Sequence, residues 1–329
     1  MTPLTAPPYK PPPDARLNDT VAMPVPSMKD HTTDEGWQLM LALRSAGYTL
    51  TAHTDVPALL HDCTPRTLVV QDKREWDGQT GGPGFDPRER FTGVGVLRDR
   101  PDVFKLTVLK DAHQRPAYHR EAAEEMAAHG WVTYYDPDRV AEQAPFVRRH
   151  HLVRTYHTVD AAAVPAYEAR GRKGCLLSGA VSGAYPLRSR LVQDRHRLYD
   201  VTYLPHPGYG RRYCHTPQFL KTLSRYKAAI CTASRFQYAT RKIVEATAAG
   251  CVVITNLKET LPVIDGNLVR IADDVPLDVV SRVVAEQTAG YDPDRQEHYA
   301  RLCKSHYDYR AEGDRLASAI ETLRSTYAP

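Results

Sequence analysis

No apolar run in the chain approaches the roughly 18 residues that a membrane-spanning helix needs. No membrane insertion is therefore expected. The first residues, "MTPLTAPPYKPPPDAR", lack an apolar stretch and the anatomy of a signal peptide, which makes a cytoplasmic location the expectation. The six cysteines, at 63, 175, 214, 231, 251 and 303, never form a C-x-x-C pair. That spacing argues against a zinc ribbon or a disulfide framework, and it predicts reduced thiols within apolar segments such as "GCLLSG", "AAICTAS" and "AGCVVIT". An excess of one charge is also missing. The formal net charge is +4, with 43 Lys and Arg against 39 Asp and Glu, so a polyanionic partner is permitted but not demanded.

What is present is a 329-residue chain, 42% hydrophobic and 25% charged, long enough for two α/β domains. Residues 1–30 are proline-rich and read as an extended arm. A helix is expected over 34–46 with Gly47 as its C-cap, then a strand from Tyr48. "RTLVVQD" and "VFKLTVLKDAH" read as buried strands, "PAYHREAAEEMAAHG" as a helix ending at Gly130, and "WVTYYDP" and "HHLVRTYHTVD" as further strands. The rhythm restarts near residue 170. "GCLLSGAVSGAYPLRSRL" is strand, glycine turn and a helix opening at Pro186. Strands in "DVTYLP", "YKAAICTAS", "CVVIT" and "NLVRIAD" follow, and helices fill the chain from about 276. Alternating strands and helices imply parallel sheets. The expected fold is α/β, with two Rossmann-like doubly wound domains facing a cleft: residues 31–168 on the acceptor side and 169–329 on the nucleotide side, the last helix packing back on the first domain. Ligands of such sheets bind beyond the carboxyl ends of the strands, which places the expected site in the cleft.

The stretch "RKIVEATAAGCVVIT", residues 241–255, carries the most chemistry. Lys242 and Glu245 lie three apart and share a helix face, in the first turns after the loop "SRFQYAT". A helix start favours an anion through its free N–H groups and dipole. On spacing alone the pair is equally a solvated surface couple. The segment resembles the nucleotide-sugar motif of GT-B glycosyltransferases, in which a helix carrying a glutamate precedes A-x-G and a buried strand. With "LLSGAVSGAYPLRSRL" and "YKAAICTAS" it is similar, more narrowly, to the spore-maturation (CgeB-like) branch of the group-1 superfamily, over about 175–275. The resemblance implies that Glu245 binds a ribose and that Lys242 and Arg241 hold a donor diphosphate. Many retaining members carry another glutamate eight residues earlier. Gln237 stands there instead, which leaves the stereochemical outcome open.

Other residues are candidates by position. Ser178, Gly179 and Arg188 flank the glycine turn, where backbone and a guanidinium suit a phosphate, although no G-K-[ST] follows to make a P-loop. His206 stands at a strand end in "LPHPGYG". His113, oriented by Asp111, is the candidate base for deprotonating an acceptor hydroxyl. Asp72, Arg74 and Trp76, in a glycine-rich loop after a strand, are candidate acceptor contacts. "HHLVRTYH" sends His151 and His157 to one strand face without convincing metal spacing, and both "DPD" segments look like proline-turn caps. No metal and no bound cofactor is expected beyond a nucleotide-sugar donor, a UDP-sugar first among them. The acceptor stays open between a hydroxymethylated base in duplex DNA, a glycan and a small molecule. The alternatives are a non-catalytic nucleotide or nucleic-acid binder of the same fold, and a nucleotide-sugar epimerase.

Overall fold

Strands with apolar side chains on both faces need helices above and below, and parallel pairing with helical crossovers supplies them. The computed structural model describes residues 20–23, 35–51, 53–71, 91–110, 112–113, 116–205 and 216–327. The chain divides into two compact units, one of residues 1–156 with 313–329 and one of residues 157–312.

The first unit holds six parallel strands: β1 (Thr20–Met23), β2 (Thr49–Leu50), β3 (Thr67–Val70), β4 (Phe104–Leu109), β5 (Gly130–Thr133) and β6 (Leu152–Arg154). Their order is β2-β1-β3-β4-β5-β6. The chain winds outward from β1 to β2, then reverses and continues through β3, so the winding changes direction between β1 and β3. Helices α1 (Glu35–Ser45), α2 (Val56–Asp62), α3 (Pro116–Met126) and α4 (Pro137–Gln143) connect the strands. Val21, Met23, Leu59, Leu68, Val70, Leu97 and Met126 share one fully buried cluster.

Three expectations need correction here. Thr20–Met23 belongs to no arm: it is the strand β1, with Val21, Ala22 and Met23 fully buried between β2 and β3. The helix α3 stops at Met126, not at Gly130. Ala127 takes the left-handed conformation (φ 49°) and the Ala128 N–H reaches back to Ala123 O at 2.8 Å, closing the helix early. Gly130 instead starts β5, where His151 O lies too close for any Cβ. His151 and His157 also share no strand face, because β6 covers only Leu152–Arg154 and His151 sits in a single 3₁₀ turn before it. The Asp residues of both "DPD" segments do act as caps: Asp136 accepts the N–H groups of Asp138 and Arg139, and Asp292 those of Asp294 and Arg295.

A histidine cluster gives this unit an acid sensitivity. His129 Nδ1 accepts the Lys105 N–H at 3.0 Å, while its ring stacks on Phe104 and meets Tyr327 edge-on. Burial, then the Lys105 ammonium, pushes the His129 pKa below 6.5. His151, against Tyr327, is depressed by burial and by His150. A histidine whose folded pKa is depressed costs nothing above the unfolded value. As pH falls below about 6.5, the unfolded chain takes up the proton first and stability declines. The melting temperature is therefore expected to fall between pH 7 and pH 5.5, and less so in His129→Gln, which keeps an acceptor for Lys105 but cannot titrate. An equally steep decline in that variant would exclude His129 as a source.

The second unit holds β7 (Lys173–Gly179), β8 (Val201–Pro205), β9 (Tyr226–Ile230), β10 (Val252–Thr255) and β11 (Leu268–Arg270), all parallel, in the order β11-β10-β9-β7-β8. Here the winding reverses between β7 and β9. Its helices are α5 (Pro186–Gln193), α6 (Thr216–Leu223), α7 (Arg241–Ala248), α8 (Leu277–Ala289) and α9 (Pro293–His306), while α10 (Tyr309–Ser325) belongs from Gly313 onward to the first unit. Cys175, Leu177, Leu191, Ile230, Ile254, Val280 and Val284 form its core. Cys63, Cys175, Cys231, Cys251 and Cys303 are free, and all but Cys63 are buried.

Candidate functional site

At the reversal point of the second sheet, β7 runs out at Gly179 with φ 120°, a conformation open to glycine. Space forbids a side chain there as well: a Cβ would stand 2.6 Å from Arg188 Nη1 and 3.2 Å from Lys242 Nζ. Two cationic groups thus converge on one backbone position. Proline at the start of α5 sets that helix, and Arg188, its third residue, turns inward to 2% exposure. Its Nε donates to Thr232 Oγ1 at 3.0 Å, Nη2 to Thr232 O at 3.2 Å and Nη1 to Ala180 O at 3.1 Å, and it lies over the Tyr185 ring at 4.0 Å. Arg188 therefore fastens the turn after β7 to the end of β9. Its fork is spent inside the chain, leaving a fixed positive charge rather than a free bidentate clamp.

Lys242 differs. Its ammonium makes no hydrogen bond or ion pair among the described residues. Burial, and then the neighbouring Arg188 charge, lowers its pKa from 10.5 to about 8, with Glu245 pulling the other way. The acid of α7 is committed elsewhere: Glu245, 2% exposed, takes both Nε and Nη2 of Arg241 on Oε1 at 2.9 Å. The i, i+4 couple is the ion pair, and the i, i+3 Lys242–Glu245 spacing is not. The helix begins at Thr240 without a side-chain cap, and Thr240 Oγ1 is buried with no partner among the described residues. The loop leading to it is fixed by Asn256 Oδ1, which accepts the Ala233 N–H at 2.8 Å. Gln237, left-handed at φ 58°, accepts the Lys258 N–H on Oε1 at 3.1 Å.

A glycine turn, an uncapped helix start, a fixed guanidinium and an unpaired ammonium are an arrangement whose chemistry suits a multiply charged anion. The structure brings Gly179, Arg188, Arg241, Lys242 and Glu245 together. Ser178, buried in β7, precedes Gly179. His113 lies past the end of β4 in the first unit, partly buried in a turn. Asp72, Arg74, Trp76, Asp111 and His206 lie outside the described residues. Sequence reasoning missed Thr232, Tyr185 and Thr240. Only Thr240, a threonine directly before a helix, carried a readable signal.

No family profile and no curated protein matches the chain by sequence. Solved structures do match it by shape. Sucrose-phosphate synthase from Thermosynechococcus elongatus covers 94% of this chain and 100% of its own at 10% identity, with a TM-score of 0.59. AviGT4, a glycosyltransferase involved in avilamycin A biosynthesis, covers 94% and 99% at 12% identity, with a TM-score of 0.51. HepE of Anabaena, in complex with UDP-glucose, covers 93% and 99% at 11% identity, with a TM-score of 0.50. At such identities the likeness speaks for the fold: two Rossmann-like α/β domains with parallel sheets of six and five strands, as in GT-B glycosyltransferases.

Proposed function

We propose that this chain is a glycosyltransferase that moves a sugar from a nucleoside-diphosphate donor to a hydroxyl acceptor. One observation carries the proposal: Lys242 holds an unpaired, partly buried cation beside the fixed charge of Arg188, over a glycine that keeps the space clear. Two like charges are held together at a cost unless an anion joins them. A diphosphate supplies that charge and meets the start of α7. Glu245 accepts the ribose hydroxyls, with Arg241 holding its carboxylate in place. A UDP-sugar is the first donor to test, and the UDP-glucose bound to HepE supports that choice.

In the proposed reaction the acceptor oxygen attacks the anomeric carbon, the bond from that carbon to the diphosphate oxygen breaks, and the diphosphate leaves against Lys242 and Arg188. Fixed charges aimed at a departing anion lower the barrier without reorganising. His113, with Asp111, is the proposed base for the acceptor proton, and Asp72, Arg74 and Trp76 are the proposed acceptor contacts; of these only His113 lies among the described residues. Two cations at the diphosphate make a divalent metal unnecessary. The likeness to the spore-maturation branch rests on the sequence motifs between about 175 and 275. A DNA base as acceptor rests on the mildly basic charge, the proline-rich first residues and Trp76 in its glycine-rich segment, and a glycan hydroxyl is the acceptor to test first.

A thermal-shift screen with UDP, GDP, ADP and a short DNA duplex tests the proposal. A ligand at about 100 times its Kd adds roughly 2.7 kcal/mol of apparent stability. One nucleoside diphosphate is expected to raise the melting temperature. A shift with duplex DNA and with none of the nucleotides would replace the transferase by a nucleic-acid binder.

A further inference from the structure

The second sheet carries its anion site at the point where its winding reverses. The first sheet has such a point as well, between β1 and β3, and one buried side chain there has no hydrogen-bond partner among the described residues. Gln71 is the first residue beyond β3, and its backbone N–H donates to Met23 O, at the end of β1, at 3.1 Å. It therefore sits on the seam where open α/β sheets take ligands. Its side chain is 2% exposed, yet neither Oε1 nor Nε2 has a hydrogen-bond partner among the described residues. A buried polar group left unpaired is costly, and a carboxamide with both ends unpaired doubles that cost. The three residues before it, Leu68, Val69 and Val70, are apolar and fully buried, so packing would favour an apolar residue here too. Topology and the orphaned amide are independent observations, and they meet at one residue.

We propose that Gln71 is a ligand-recognition residue of the first unit, and that its ligand, on the transferase proposal above, is a polyhydroxylated, uncharged acceptor. The chemistry of the carboxamide selects the class. Its Nε2 donates and its Oε1 accepts. A phosphate only accepts and would leave Oε1 unpaired; an ammonium only donates and would leave Nε2 unpaired. A hydroxyl does both, so a vicinal pair of sugar hydroxyls satisfies both ends, and glycosyl transfer needs an acceptor hydroxyl in any case. An adenine edge offers the same donor–acceptor pairing and serves as the rival in the test.

The test compares wild type with Gln71→Met, which keeps the bulk and removes the carboxamide. Saturation-transfer NMR is run with methyl glucoside, methyl galactoside, methyl mannoside and adenosine, beside melting temperatures and UDP titrations. At least one glycoside is expected to give a signal with wild type that falls at least tenfold in the variant. UDP affinity should be unchanged and the melting temperature unchanged or higher. A melting temperature lowered by more than about 3 °C, which for units of this size is roughly 1 kcal/mol, would show the carboxamide bonded within the folded chain and overturn the proposal whatever the NMR shows. So would an undiminished glycoside signal in the variant, the absence of any glycoside signal with wild type, or a signal from adenosine alone. Failure of UDP to bind wild type would remove the donor proposal while leaving the melting and glycoside results to decide on Gln71.

Discussion

Lys242→Met is expected to raise the melting temperature at pH 7 and to weaken nucleoside-diphosphate binding by about 10- to 100-fold. Both effects come from one fact: the Lys242 ammonium is partly buried beside Arg188 without an ion pair, because Glu245 is taken by Arg241. A lysine whose folded pKa lies near 8 rather than 10.5 destabilises the fold at every pH below the folded value, since the unfolded chain holds that proton more readily. Methionine matches the stem and removes the charge, so the apo protein gains. A charge-assisted hydrogen bond to a phosphate is worth roughly 1.5–3 kcal/mol, which is the stated range of affinity. Lys221, on α6, is the control: Lys221→Met should change neither quantity. If Lys242→Met lowers the melting temperature, the ammonium has a structural partner and the anion site is misplaced.

Gly179→Ala is expected to damage both the fold of the second unit and its nucleotide binding. At φ 120° an L-residue is strained, which costs about 1–3 kcal/mol. The new Cβ would also stand 2.6 Å from Arg188 Nη1. An arginine end can usually swing away. This one is tied to Thr232 and Ala180 by three hydrogen bonds, so moving it loosens the junction between β7 and β9. Gly47 supplies the comparison, because it too has a positive φ, 93°, but a Cβ added there would meet nothing within 4 Å. Gly47→Ala should show the backbone cost alone. Gly179→Ala should melt several degrees lower still, about 2–4 °C for each further kcal/mol, and should lose UDP binding. Equal losses at both sites would mean that Arg188 yields freely and does not organise the turn.

Much of this was legible in the sequence, and the exceptions have physical causes. The segment 241–255 became a helix, a glycine at φ 82° and a buried strand, because helical spacing, a C-terminal glycine and a β-branched run all agree there. β1 was hidden because four residues between proline-rich flanks carry too little periodicity, and only its neighbours β2 and β3 make it a strand. The partner of Glu245 was misjudged because Arg241 and Lys242 both reach its helix face, and their surroundings decide which one turns to it. Arg188 looked like a surface clamp because nothing in "PLRSRL" announces that Thr232, 44 residues on, will occupy its fork. Gln71 carried no signal at all. A polar residue after an apolar strand reads as its exposed end, and only burial without a partner marks it.

The most direct test of the diphosphate site is a calorimetric titration of UDP between pH 7.5 and pH 9.5, for wild type and Lys242→Met. An anion binds the protonated ammonium, so affinity is held below a pKa of about 8 and lost as pH rises through it. Wild-type affinity should therefore stay level to about pH 8 and then weaken, approaching tenfold per unit, while Lys242→Met binds weakly at every pH. A wild-type affinity that stays level to pH 9.5, or a variant that binds UDP as tightly as wild type, would contradict the assignment of Lys242 to the donor diphosphate.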